Sequence, residues 1–219
     1  MQEVVLWSGG LDSTNVLAWV ARASSQLYPV CALTIDINIV NGCQQDSQHI
    51  ARERFLEFAC KKGWHIRHNV IKVDSDIGVG DGINQAHAWQ SIFAPFIQNN
   101  SNVYLGYMLS DSYWHIKHLM ENAWDALFKS RNRDVNIKII YPLEWDSKEQ
   151  ILRNNQVYNI PDDCWWSCDR TEIAGVPCGK CEKCMELIRA YGELRNNGRI
   201  VDDKWVNMED KRLVSLMGI

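Results

Sequence analysis

The sequence predicts an α/β protein with a parallel five-stranded sheet and helices on both faces. First, five short apolar segments alternate with segments in which apolar residues recur at helical spacing. Second, the apolar segments are nearly continuous, as in strands covered on both faces. Third, the 219 residues are 46% hydrophobic and 23% charged, which is typical of an ordinary folded domain. Strands that alternate with helices pair in parallel through right-handed crossovers.

The first third of the chain predicts three strands and two helices. Val16, Leu17 and Val20 share one face of the first helix, and this spacing is typical of a helix that packs on a sheet. A turn with two glycines separates the first strand from this helix. The predicted strands are 3–7, 28–35 and 65–73, and the predicted helices are 14–23 and 47–62.

The rest of the chain predicts two more strands and four helices. Segment 74–84 is rich in glycine and aspartate and is predicted to be a loop. Pro142 ends the last strand, and Asp146 and Ser147 can cap the helix that follows. The predicted strands are 102–109 and 136–141, and the predicted helices are 85–98, 115–131, 147–154 and 183–195.

Composition narrows the class of partner and the location. The net charge is −4, whereas a domain that wraps nucleic acid usually carries a basic surplus, so a small-molecule substrate is expected rather than nucleic acid. No apolar run of the sequence approaches the roughly 20 residues of a membrane span. The first residues show no basic and apolar signal segment. We therefore expect a cytoplasmic protein that does not enter a membrane.

The turn after the first strand has the composition of a phosphate site. Segment 8–13 reads Ser-Gly-Gly-Leu-Asp-Ser, and its glycines let the backbone approach a ligand. The amides at the start of the next helix then point at an anion. Asp12 either holds Mg²⁺, which bridges nucleotide phosphates, or orients the turn. The Walker A and dinucleotide fingerprints are absent from the sequence.

A cluster of cysteines near the end of the chain predicts a metal site. Cys168, Cys178, Cys181 and Cys184 form the pattern C-x9-C-x2-C-x2-C. Four thiolates suit a tetrahedral, structural Zn²⁺ ion, and an iron–sulfur cluster is the alternative. Zinc is favoured because nothing else in the sequence indicates redox chemistry. Cys164 is a fifth candidate, better interpreted as a plain buried thiol.

The turn at 8–13 resembles the PP-loop signature of the ATP pyrophosphatases, Ser-Gly-Gly-x-Asp-Ser. The resemblance implies an adenine nucleotide alpha hydrolase-like fold that binds Mg²⁺ and ATP and cleaves ATP between the α and β phosphates. The residues implied to act in catalysis are Asp12, Ser13 and Asp111. The residues implied to bind ATP are Trp7, Ser8, Gly9, Gly10, Leu11, Asp12, Ser13, Thr14, Asn15, Val16, Leu17, Thr34, Asp36 and Gly106.

The PP-loop together with the cysteine cluster resembles the 7-cyano-7-deazaguanine synthase family. Pro142-Leu143 before a lysine-bearing helix, the segment 166–168 before the first cysteine ligand, and Gly106 with Asp111 fit the same family. The resemblance implies an ATP-dependent ligase that converts 7-carboxy-7-deazaguanine and ammonia to the 7-nitrile through adenylated intermediates. It further implies a role in queuosine biosynthesis, four zinc ligands at the cysteines and a homodimer.

The sequence departs from this family at the substrate end. The family's Val-Pro-x-Arg-Asn segment is absent before the third helix, where 82–87 reads Gly-Ile-Asn-Gln-Ala-His. The family's Tyr-Gly-Gln after the second strand is Ile-Asn-Ile at 37–39, and Asp169 replaces its tyrosine after the first cysteine. Two alternatives therefore stay open. One is a PP-loop enzyme that adenylates another substrate, such as a tRNA base or a protein terminus, and the other is an inactive nucleotide-binding module.

The domain division and several side chains complete the predictions. We predict a nucleotide-binding domain at 1–145 and a helical zinc module at 146–219. The loop 74–85 is predicted to close over the substrate, with His87 and Asp111 near the pocket; a plain solvated loop is the alternative. Three pairs of residues each have two interpretations. His115 and His118 are either metal ligands or part of an exposed helix face, and Trp165 and Trp166 either stack on the substrate or pack in the core. Lys148 and Arg153 either bind phosphate or are solvated charges on their helix.

Overall fold

The structure, a computed structural model, describes residues 1–37, 42–73, 85–131 and 136–196. Its strands are β1 Gln2–Leu6, β2 Val30–Ile37, β3 Ile66–Val73, β4 Ser101–Tyr104 and β5 Ile137–Ile140. Its α-helices are α1 Leu11–Ala21, α2 Gly42–Lys61, α3 Gln85–Phe93, α4 Lys117–Arg131, α5 Lys148–Tyr158 and α6 Glu182–Asn196. Short 3₁₀ turns lie at Ala94–Phe96, Ser112–Ile116 and Asp162–Cys164.

The five strands form one parallel sheet in the order β3-β2-β1-β4-β5, which confirms the predicted fold class. Val4 of β1 pairs with Cys31 of β2 on one side and with Val103 of β4 on the other. The chain passes from β1 outward to β3 and then returns to the opposite side of β1. The order reverses between β1 and β4, and ligands of such sheets bind beyond the carboxyl ends of the strands at this point.

Helices pack on both faces of the sheet. Trp19 of α1 lies against Tyr104 of β4, with 6.0 Å between ring centroids. Neighbouring residues of a strand point to opposite faces, so Val103 faces the other side. There it belongs to a buried cluster with Trp124 and Phe128 of α4, whose rings stack at 5.1 Å. The remaining buried members of this cluster are Val4, Cys31, Leu33, Phe93, Ala94 and Ile97.

The described residues form two compact units. The sheet unit contains the five strands together with α3, α4 and α1 from Asp12 onward. The cysteine unit contains α5, α6, the cysteine cluster, most of α2 and the residues Gly9–Leu11. The division at 145 and 146 stays a prediction for independent domains. No helix in the described parts of the chain combines the length and apolarity that a membrane span requires.

Several predicted boundaries are wrong. Helix α2 begins at Gly42 rather than at residue 47, and helix α5 ends at Tyr158 rather than at residue 154. Three other differences have a local reason. Helix α1 begins at Leu11, because the helical backbone starts directly after the two glycines of the turn. Strand β4 ends at Tyr104 rather than at residue 109, because both neighbouring strands end at the same level and leave no partner for its continuation. Helix α3 ends at Phe93 and gives way to a 3₁₀ turn that contains Pro95, whose ring cannot continue an α-helix.

The predicted cap of α5 is confirmed for Ser147. Its hydroxyl accepts a hydrogen bond from the Gln150 amide, which satisfies one of the free donors at the helix start. We expect Ser147→Ala to lower the free energy of unfolding by about 1 kcal/mol, measured by denaturant titration. Asp146→Ala is the matched control, since Ser147 is the capping residue. An equal loss in both variants would contradict the assignment of the cap.

Candidate functional site

The turn between β1 and α1 is held by its own hydroxyl groups. Gly9 has a φ of +88°, a conformation that favours glycine. The Ser8 amide donates to Ser13 Oγ at 3.2 Å, and the two hydroxyl oxygens lie 3.0 Å apart. These contacts close the turn and direct the start of α1 at the carboxyl edge of the sheet.

Buried side chains hold the turn in place from below. Trp7 Nε1 donates to Thr14 Oγ1 at 2.9 Å, and Thr34 Oγ1 donates to the Trp7 carbonyl at 2.6 Å. His68 of β3 extends this network, since its Nε2 lies 2.9 Å from Thr34 Oγ1 and its ring meets Trp7 edge-on. His68 was not predicted from the sequence, because a single histidine in a strand carries no motif.

The residues expected to bind ATP divide by exposure. The partly exposed ones can contact a ligand directly, whereas the buried ones can act only through the shape of the turn. The partly exposed residues are Ser8, Gly10, Asp12, Asp36 and Gly106. The buried residues are Trp7, Gly9, Leu11, Ser13, Thr14, Asn15, Val16, Leu17 and Thr34. A role of these residues in ATP binding stays a prediction.

Gly106, after β4, packs directly on the turn. A Cβ atom added there would lie 3.0 Å from the Ser13 amide nitrogen and 3.1 Å from the carbonyl carbon of Asp12. Both neighbours are backbone atoms and cannot swing away as a side chain would. The glycine is therefore required by the close approach of two backbones at the switch point.

We expect Gly106→Ala to raise the KM for ATP by about tenfold, because the start of α1 must shift to admit the methyl group. Steady-state kinetics at varied ATP concentration measure this effect. Gly192→Ala is the control, since a Cβ there meets no atom within 4 Å and the change lies inside a helix. Unchanged ATP kinetics in Gly106→Ala would show that the turn yields without functional cost.

Asp111 shapes the segment after β4. Its carboxylate accepts the Met108 amide at 2.8 Å and so closes a short turn before the 3₁₀ segment Ser112–Ile116. The same segment is fixed by aromatic packing, because the Tyr107 and Tyr113 rings stack at 3.9 Å. The Tyr113 and Tyr141 hydroxyls lie 2.8 Å apart, and burial raises the pKa of both, so they stay protonated.

The loop that is predicted to close over the substrate is not described by the structure. Residues 74–84 and the side chain of His87 lie outside the described residues. The closing loop and the role of His87 at the substrate pocket therefore stay predictions.

The four cysteines of the cluster come together as the spacing predicts. The sulfur atoms of Cys168, Cys178, Cys181 and Cys184 all lie within 4.8 Å of one another. Gly179 has a φ of +69°, which makes the tight turn between the second and third cysteines possible. The cluster could therefore hold a metal ion. Cys164 lies outside this group, with its sulfur 3.8 Å from Asp163 Oδ1.

Backbone amides favour thiolates in part of the cluster. The Cys178 amide donates to Cys168 Sγ at 3.2 Å, and the Cys181 amide donates to Cys178 Sγ at 3.3 Å. Burial raises the pKa of Cys168 and Cys184. Burial also acts on Cys178, but hydrogen bonds from the Lys180 and Cys181 amides outweigh it and lower its pKa to about 7. A bound cation stabilises the thiolate form of such ligands.

Trp166 connects the cysteine cluster to the turn within the cysteine unit. Its amide donates to the Gly9 carbonyl at 2.8 Å, and its indole Nε1 donates to the Cys168 carbonyl at 3.0 Å. Trp165 and Trp166 are both buried, which favours packing over stacking on a substrate. This link was absent from the sequence analysis, since a backbone bond between distant residues leaves no pattern.

The structure also places the other two pairs of residues for which the sequence allowed two roles. Arg153 donates a hydrogen bond to Glu149 at 2.6 Å, one helical turn away, so it stabilises helix α5. Lys148 is buried and lies 3.8 Å from Glu186 of α6. His115 and His118 are exposed, and the described residues place them in no group of metal-binding side chains.

Comparison with known proteins supports a single family. Residues 92–195 match the family model of the queuosine biosynthesis protein QueC. The 7-cyano-7-deazaguanine synthase of Thermoplasma volcanium is 25% identical to this chain over 97% of it and 95% of the relative. The synthases of Methanosarcina barkeri and Nautilia profundicola are 26% and 27% identical, over 87% and 90% of this chain and 94% and 96% of theirs. Both comparisons show that the chain is similar to the QueC family.

These matches confirm the resemblance drawn from the PP-loop and the cysteine cluster. The matched relatives extend over almost the whole chain, including the part in which the sequence departs from the family pattern. They are named as synthases, so the prediction of an enzyme is confirmed in this general sense.

Two solved structures are similar in outline. NMN synthetase from Francisella tularensis is 16% identical, with a TM-score of 0.47 over 94% of this chain and 81% of that chain. The U34-tRNA thiolase NcsA from Methanococcus maripaludis, with its 4Fe-4S cluster, is 13% identical, with a TM-score of 0.48 over 98% and 73%. At these scores neither structure informs the chemistry of the site.

Proposed function

We propose that this protein is an ATP-dependent ligase of the QueC family that converts 7-carboxy-7-deazaguanine and ammonia to 7-cyano-7-deazaguanine. The observation that carries the proposal is the match to the Thermoplasma volcanium synthase over 97% of this chain. The Ser-Gly-Gly-Leu-Asp-Ser turn at the switch point of the sheet supports it, because the reaction requires a site for a triphosphate.

The proposed reaction uses two molecules of ATP. The carboxylate attacks the α-phosphate of the first, which releases pyrophosphate, and ammonia then displaces AMP to give the amide. The amide oxygen attacks the second ATP with loss of pyrophosphate. Loss of both protons from nitrogen and departure of AMP with the former amide oxygen leave the nitrile. The acid has thus lost both of its oxygen atoms to AMP.

The residues of the turn have defined tasks in this reaction. Ser8 and Gly10 are partly exposed, and with the amides at the start of α1 they would contact phosphate oxygens. Asp12 would hold Mg²⁺, which neutralises phosphate charge. Asp36 is the last residue but one of the neighbouring strand β2, where it would contact adenosine. Catalysis would then depend on positioning and on charge neutralisation rather than on a covalent nucleophile.

We propose that the cysteine cluster holds one structural zinc ion. A tetrahedral ion with Zn–S distances of about 2.3 Å places its sulfur ligands roughly 3.8 Å apart. The separations of up to 4.8 Å in this protein are close to that requirement. A cluster of four irons needs more space, since each thiolate then binds a different iron. With all four cysteines bound to the ion, no coordination position remains for a substrate.

The wider assignment follows the same family. We propose that the protein acts in queuosine biosynthesis, is cytoplasmic, uses free ammonia and forms a homodimer. Because segment 82–87 departs from the family pattern, two alternative functions remain. One is adenylation of a tRNA base or protein terminus, and the other is nucleotide binding without turnover.

A mass-spectrometric assay with 7-carboxy-7-deazaguanine, ammonium and Mg-ATP tests the function. We expect formation of the nitrile, with release of AMP and pyrophosphate. Release of AMP without nitrile would favour another substrate, whereas no AMP with any of these substrates would favour the inactive module. The Asp12→Asn variant controls for contaminating ligases.

A further inference from the structure

Arg52 of α2 is an unusual residue in its surroundings. Its side chain is 2% exposed, and among the charged residues of the described chain only Arg52 and Lys148 are buried. Burial of a charge is costly, so the groups packed around a buried arginine must hold it in place. Lys148 lies 3.8 Å from Glu186 of α6, and Arg52 likewise makes contacts within the protein.

The stem of Arg52 lies against Gly9 of the PP-loop turn. A Cβ atom on Gly9 would be 2.8 Å from Arg52 Cγ and 3.4 Å from its Cδ. The backbone of α2 is equally close, since the same atom would be 3.0 Å from the Gln48 carbonyl oxygen. The guanidinium group begins one bond beyond Cδ, so a buried positive charge lies beside the turn.

Other contacts within the cysteine unit hold both Gly9 and helix α2 in place. The Gly9 carbonyl accepts the Trp166 amide at 2.8 Å. Helix α2 is attached to the segment between the first two cysteines, because the Gly175 amide donates to Ser47 Oγ at 2.9 Å and the Cys43 thiol donates to the Glu172 carbonyl. Arg52 is therefore held at a set distance from Gly9 and is not a mobile surface cation.

We propose that Arg52 is a positioning residue of the ATP site. Its stem holds Gly9 in the positive-φ conformation, and its guanidinium provides a fixed positive charge for the triphosphate. A buried charge attracts an anion more strongly than an exposed one, because solvent screens it less. The inference rests on the proposed use of the turn for ATP, and it gives a role to a residue that no motif of the sequence includes.

Three variants test this role in the full-length, metal-loaded protein. Arg52→Met keeps an apolar stem and removes the charge, whereas Arg52→Lys keeps both. Arg54→Met is the matched control on the same helix, since the Arg54 side chain is 53% exposed and pairs with Asp163 at 3.2 Å. The measurements are calorimetric affinities for ATP and for adenosine, zinc content and thermal unfolding.

We expect Arg52→Met to weaken ATP binding by about tenfold or more while zinc content is unchanged. The loss for adenosine should be smaller than the loss for ATP, which a merely structural role would not produce. Arg52→Lys should recover most of the affinity for ATP, and Arg54→Met should match the wild type. If Arg52→Met does not fold, Arg52→Gln replaces it with the same expectations.

Wild-type affinity for ATP in Arg52→Met, equal losses for ATP and adenosine, or no recovery in Arg52→Lys would each overturn the inference. In those cases the wild type still binds ATP, so the proposed function is unaffected. A wild-type protein that binds no ATP would overturn both.

Discussion

The Cys181→Ala variant is expected to lose its metal ion and much of its stability. Cys181 is one of four sulfur atoms within 4.8 Å of one another, and metal binding at such a site contributes directly to folding. We expect the free energy of unfolding to fall by about 4 kcal/mol and the melting temperature by roughly 10 °C. Elemental analysis and thermal unfolding measure the two effects. Because Trp166 joins the cluster to Gly9, affinity for ATP should fall as well.

Cys164→Ala is the control for this change. Cys164 is 2% exposed and lies close to the cluster in the chain, but it is outside the group of four sulfur atoms. Its loss should leave the metal content intact and cost about 1 kcal/mol, as expected for a small buried side chain. Stoichiometric metal in Cys181→Ala would refute the ligand assignment, and iron instead of zinc in the wild type would refute the choice of metal.

Replacing Asp12 with asparagine should reduce ATP turnover by about 100-fold or more, because the neutral side chain cannot hold Mg²⁺ at the phosphates. Asp12 is partly exposed in the first turn of α1, and asparagine has nearly the same shape, so the fold should persist. Release of AMP and pyrophosphate at saturating Mg-ATP is the measurement. Asp125→Asn is the control, since Asp125 is exposed on α4 and pairs with Lys129 one helical turn away.

Ser13→Ala is expected to abolish turnover as well, by a different route. Ser13 is only 9% exposed and its hydroxyl closes the turn with Ser8, so its removal loosens the site rather than stripping a ligand. Thermal unfolding should change little, because the affected contacts are confined to one turn. Full AMP release by either Asp12→Asn or Ser13→Ala would refute the assignment of the turn.

Much of the fold could be predicted because its signals are local. Strand Val30–Ile37 reads as an apolar run whose first five residues are buried, and the helices between the strands favour parallel pairing. The end of β4 could not be predicted from its own residues. It depends on where β1 and β5 stop, and apolar residues continue beyond Tyr104 in the sequence.

The candidate site likewise has some features that the local sequence predicts and others that only the folded structure creates. Cys178, Cys181 and Cys184 were recognisable because ligands for one metal ion recur at short spacing, and the PP-loop because a strand, a glycine turn and a helix follow one another. The contribution of His68 beneath Trp7 has no such signal, since it arises from the register between β2 and β3. The packing of Arg52 on Gly9 is equally invisible, because the two residues are 43 positions apart in the chain and no motif joins them.

The sequence by itself determined the order of elements, the glycine turn after β1 and the set of clustered cysteines, because each depends on residues close together in the chain. Only the tertiary structure decided which side chains support the turn. The requirement for glycine at position 106, the bond from Trp166 to Gly9 and the buried charge of Arg52 all arise where distant segments meet. Such contacts depend on the shape and packing of the folded chain, and no short pattern of residues records them.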